Sequence, residues 1–131
     1  MNKERMHELA MATQQGKITF PEVVKGLLEV GVESYLVDLA TMQKTHFLSD
    51  GATHMVPMIL DPGPVAAEFN SDAIVAALSD AQADVIRYPE FVKRVVAAGV
   101  IGYWAFLTGK KVVYLGRKGE QYVREFPKPR A

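Results

Sequence analysis

QQGKITFPEVVKGLLEVGVESY, residues 14–35, returns as QADVIRYPEFVKRVVAAGVIGY at residues 82–103. A shift of 68 aligns the two stretches without a gap, and nine of the 22 positions are identical. The identical pairs are Gln14/Gln82, Ile18/Ile86, Pro21/Pro89, Glu22/Glu90, Val24/Val92, Lys25/Lys93, Gly31/Gly99, Val32/Val100 and Tyr35/Tyr103. Self-similarity at a fixed offset marks one supersecondary unit built twice. It decides the architecture and leaves the activity open.

Working outward, the flanks keep the pattern where they lose the letters. Met6, Leu9, Ala10 and Thr13 lie at helical spacing in a helix expected over about Lys3–Gln15. Ile74, Ala77, Leu78 and Ala81 repeat that spacing in a helix expected over about Asp72–Ala83. A second helix starts at Pro21 and again at Pro89, since a first turn has no use for the missing N–H. Glu22 and Glu90 suit the positive end of each helix dipole. Lys25 and Lys93 follow within reach of those carboxylates. Gly31 and Gly99 end these helices in the left-handed conformation.

Aromatic and branched residues then predict strands at Glu33–Ala40 and Ile101–Leu107, followed by Lys44–Leu48 and Lys111–Leu115. The three-residue turns SDG and RKG, ending at Gly51 and Gly119, lead to third strands at Ala52–Val56 and Glu120–Phe126. The expectation is an α+β fold, a single domain over 1–131. Two helix-helix-three-strand repeats, about 3–56 and 71–126, are joined by the proline-rich connector 57–70. Each half alone is marginal for a stable core, so four helices and antiparallel sheet are expected to share one interior about a pseudo-two-fold axis.

The bulk numbers agree. A chain of 131 residues with 49% hydrophobic residues suits one globular domain. Without cysteine there are no disulfides and no thiolate chemistry, which suits the cytoplasm. The N-terminus lacks the apolar core of a secretory signal, and no apolar stretch approaches the ~20 residues of a membrane helix. Net charge is zero but uneven: residues 1–107 hold 8 Lys/Arg and 13 Asp/Glu, whereas residues 108–131 hold 7 and 2.

The run QADVIRYPEFVKRVVAAGVIGYW, followed by KVVYLGRKGEQYVREFP, resembles the YdfO-like family of small bacterial and prophage-encoded proteins often labelled "phage envelope protein". The resemblance covers most of the chain and is most specific over residues 82–127. It implies an α+β domain and no established activity, catalytic residue or cofactor.

Several residues invite a chemical reading. His46 and His54 face each other across the SDG hairpin, close enough to chelate. A metal site needs a third or fourth ligand, which only His7 or a carboxylate such as Asp38 offers. Their repeat counterparts are Tyr114 and Tyr122, so two partly exposed surface histidines are the expectation, with no metal. Tyr35 and Tyr103 share a strand position, and the sole tryptophan, Trp104, points to the other face. These aromatics belong either to the core or to a ligand or interface face. Gln14 and Gln82 are placed to meet Glu22 and Glu90 at the start of each second helix.

Lys110, Lys111, Arg117, Lys118, Arg124, Lys128 and Arg130 form a basic C-terminal end, within which Gly116-Arg117-Lys118-Gly119 is a GxxG on a strand hairpin. That end attracts phosphate at low salt. No phosphate-loop, nucleophile-elbow or zinc-helix motif is present, and no nucleophile–base set, so neither cofactor nor catalytic residue is expected.

The leading expectation is a small non-catalytic interaction module that uses a sheet face or strand edge, with a homodimer as one form. The alternatives are a small-molecule sensor or enzyme with a pocket between the repeats, and a weak nucleic-acid binder through the basic end.

Overall fold

The computed structural model describes residues 1–127. The chain runs α1 (Lys3–Gln14), α2 (Phe20–Glu29), β1 (Val32–Asp38), β2 (Gln43–Leu48), β3 (Thr53–Pro57), α3 (Ser71–Gln82), α4 (Tyr88–Ala97), β4 (Val100–Phe106), β5 (Lys111–Gly116) and β6 (Gln121–Glu125). The six strands form one antiparallel sheet in the order β3-β2-β1-β4-β5-β6. This is an α+β fold with four helices.

Local chemistry sets the boundaries. Asn2 and Asn70 cap α1 and α3 by accepting from the Arg5 and Ala73 N–H groups, each at 3.0 Å. Pro21 and Pro89 lie in the first turns of α2 and α4, which begin one residue earlier than expected, at Phe20 and Tyr88. Glu22 does more than meet the helix dipole: its Oε1 accepts from the Thr19 backbone N–H and hydroxyl at 3.0 and 2.8 Å, closing a capping box. Those bonds, the backbone one first, hold its pKa below the usual value. Neither Glu22–Lys25 nor Glu90–Lys93 forms an ion pair among the described residues. Gly31 and Gly99 follow the second helices with φ of 86° and 89°.

The two outer three-strand blocks match at the 68-residue offset. Both β1–β2 and β4–β5 carry an irregularity in register, at Val32/Ser34 and at Val100/Gly102. The blocks join along β1 and β4, where Leu36 pairs with Trp104, its own counterpart at that offset. Register on either side is symmetric about this pair, with Tyr35 opposite Ala105 and Val37 opposite Tyr103.

All four helices lie against one side of the sheet. Tyr35, Val37 and Leu48 meet Val23, Leu27, Val92 and Val95 in a single hydrophobic cluster drawn from both halves. Burying these side chains supplies the main folding drive, roughly 1.5–3 kcal/mol for each large one. No helix among the described residues is long and apolar enough to cross a membrane.

Candidate functional site

Strand alternation gives the sheet two faces of unlike chemistry. The helix-covered face holds Tyr35, Lys44, His46, His54, Tyr103, Tyr114, Tyr122 and Arg124 among its aliphatic residues. The tyrosine chains are core, as one of the two expectations had it. Tyr103 shares a hydrogen bond of 2.7 Å with the Tyr88 hydroxyl. Burial raises the pKa values of Tyr35, Tyr103 and Tyr114, and raises that of Tyr88 to about 12.

His46 departs from the sequence expectation. It is fully buried, not a partly exposed surface histidine, because alternation sets it with Lys44 and Leu48 on the helix side. It does face His54, with ring centroids 6.2 Å apart. Its Nδ1 lies 3.0 Å from the His54 carbonyl oxygen. A carbonyl only accepts, so Nδ1 carries the proton and Nε2, without a partner among the described residues, keeps its lone pair. Burial, the nearby Lys44 and His54 charges lower its pKa to about 4. Neither proposed further ligand joins the pair. His7 is exposed on α1, and Asp38 lies on the other face, its Oδ1 accepting from the Ala40 and Thr41 N–H groups. No cluster of three or more metal-ligating side chains occurs among the described residues.

Lys44 was not singled out by sequence. It is 5% exposed, makes no ion pair among the described residues, and sets Nζ 4.2 Å from the centroid of the Tyr35 ring. Burial lowers its pKa to about 7. The signal was present in KTHFL, where Lys44 shares its face with Leu48.

Among the described residues, no helix covers the opposite face. Its middle row, read across the sheet, is Met55, Thr45, Leu36, Trp104, Val113, Val123. Phe47 and Phe106 flank this row on one side and Leu115 on the other. None of these residues packs against the hydrophobic cluster, and Met55 and Val123 remain 44% and 48% exposed. Trp104 stacks on both phenylalanines, 5.3 Å from Phe47 and 5.4 Å from Phe106 between ring centroids. The small Ser34, paired with both Phe47 and Phe106, leaves room for this aromatic ridge. The indole N–H is buried, with no acceptor among the described residues. Leucine, tryptophan and valine on both faces of β1 and β4 were the sequence signal for this surface, though such strands also read as covered on both sides.

The glutamines part company. Gln14 is buried, and its Oε1 accepts from the Ile59 N–H at 2.6 Å, tying the connector to α1. Gln82 is exposed. Neither bonds Glu22 or Glu90. The basic residues also separate. Lys110 precedes β5 and Lys111 begins it, while Arg117 and Lys118 follow its end, roughly 20 Å away. Arg117 reaches the Val65 carbonyl at 3.5 Å, and Lys118 lies 3.9 Å from Glu68. Arg124 is on the covered face over Tyr122. Lys128 and Arg130 lie outside the described residues.

Two shallow hollows of about 300 and 290 Å³ are open to solvent. One lies where Gly63–Val65 crosses Leu39 and Ile101, the other among Arg5, Glu22, Lys25 and Glu29. Neither is lined by Tyr35, Tyr103 or a histidine.

No curated protein matches the chain. Residues 20–125, from the start of α2 through β6, match one family model. The chain therefore belongs to the family described as protein of unknown function, DUF1398.

Proposed function

We propose that the protein is a binding module whose working surface is the helix-free face of its sheet. The observation that carries this reading is the aromatic cluster of Phe47, Trp104 and Phe106 on a row that crosses all six strands and is apolar on every strand but β2, where it holds Thr45. Contiguous apolar surface of this extent is characteristic of interaction sites. The strand edges offer less. Each edge strand has five residues; β3 ends on Pro57, which has no N–H, and β6 ends on Arg124 and Glu125.

The two hollows lie away from the tyrosine-rich interior, which weighs against a substrate pocket there. The dispersal of the basic residues weighs against the nucleic-acid reading. We further read the two halves as copies of one ancestral unit, supported by the common offset in identities, element order and register. Kinship with the YdfO-like prophage proteins belongs to the same reading and rests on the motifs of residues 82–127.

A photo-cross-linking residue placed at Met55 or Val123 in the cell tests the function. Adducts are expected from both positions and not from Leu28, which is exposed on the helix side. They should vanish when Trp104→Lys is added. Equal yield from Leu28, or none from the face, defeats the reading.

A further inference from the structure

Resting on that reading, we infer that the occupant of the open face is a second copy of this chain, packed sheet on sheet. Three observations carry this. The first is size. Six strands of about five residues present roughly 450 Å² in projection. Side-chain relief raises the accessible area above that, so pairing two such faces reaches the ~1,000 Å² at which specific interfaces begin.

The second is shape. Phe47 and Phe106 rise on one side of the middle row and stack on Trp104 within it. The other side carries Gln43, Asp38, Gly102 and Leu115, with no aromatic. A two-fold axis lying in the interface and running across the strands sets each copy's Phe47 and Phe106 against the other's low row. This contact is isologous and closes at two copies. Strand register places Leu36 opposite Trp104 at the centre of the face, so the middle row runs its full width and meets itself in the partner.

The third is charge. The middle row bears no charged residue, and the charged residues of the face, Glu33, Asp38, Lys111 and Glu125, all lie outside it, so two copies bring no charge to the centre of the contact. A charged partner would find little to pair with.

Sedimentation velocity of the full chain, from micromolar to sub-millimolar concentration, tests the inference. A species of twice the 14.5 kDa chain mass is expected. The emission of Trp104, the sole tryptophan, should shift to the blue as that species forms. Trp104→Lys should yield a monomer with unchanged circular dichroism. Should that variant misfold, Val123→Lys at the rim should weaken the dimer at least tenfold.

The chain has no cysteine, so single cysteines report cleanly. Packed sheets lie ~10 Å apart, too far for a disulfide, so a short bis-maleimide is the probe. It should join Thr45→Cys to its own copy and leave Leu28→Cys unlinked. A monomer at all concentrations overturns the inference, as does a dimer indifferent to Trp104→Lys and Val123→Lys. If the chain stays monomeric while Met55 and Val123 still cross-link another protein, the second-copy inference fails and the interaction module stands. If nothing cross-links, both fall.

Discussion

The two halves of this molecule share a backbone plan and differ in what they bury. At equal offset, Lys44, His46 and His54 in the first half stand where Val112, Tyr114 and Tyr122 stand in the second. Phe20 corresponds to Tyr88, and Val56 to Arg124. The residues that direct the chain are kept: proline in the first turn of α2 and of α4, glycine just past the end of each of those helices, glycine in each hairpin. The lesson is that conformation in this fold depends on a few backbone-specific positions, while the interior between sheet and helices tolerates exchange of an imidazole for a phenol.

Twin substitutions break that correspondence most sharply at the helix-ending glycines. Gly31 has open space where a Cβ would be, whereas a Cβ on Gly99 would collide with the Glu68 carbonyl. Both have positive φ, so Gly31→Ala should cost about 1 kcal/mol and Gly99→Ala upwards of about 3 kcal/mol. Urea denaturation of the two variants checks the difference.

The buried lysine comes next. Lys44 binds its proton more weakly in the fold, at a pKa of about 7, than in the unfolded chain at 10.5. Between those values the unfolded chain carries the extra proton, so stability rises with pH from about 7 to 10.5 and Lys44 contributes no slope below. Lys44→Met should abolish that slope and stabilise the fold at neutral pH by roughly 2–4 kcal/mol. His46 follows the same sign lower down, with stability rising between about pH 4 and 6.5. Thermal melts across pH, with and without Lys44, measure both.

Smaller effects sharpen the comparison. Tyr88→Phe restores the first half's residue type and strands the Tyr103 hydroxyl, at a cost of about 1–2 kcal/mol. Glu22→Ala opens a capping box that α4 lacks. It should cost about 1 kcal/mol, and Glu90→Ala only a few tenths. Calorimetric melting resolves these differences.

The repeat made the helices, strands and hairpin glycines readable within a residue or two, because proline, glycine and alternation act locally. Burial was less legible. Histidine and lysine are commonly exposed, and only the parity of Leu48 revealed that Lys44 and His46 turn inward. Thr19 and Glu22 spelled the capping box, a local signal that the dipole argument alone passes over. The sequence pointed to a sheet face without saying which one lies open, because a strand apolar on both sides looks the same whether the second side meets helices, another chain or water. The basic end looked continuous because sequence neighbours on a strand are far apart when they sit at its two ends.

The seam between β1 and β4 joins the halves through a pairing that reads alike from either strand. Its register is symmetric about Leu36 and Trp104. A slip of one residue at this seam would turn the inward row of one half toward the open face. The side chains that both halves bury together therefore hold the register of the whole sheet.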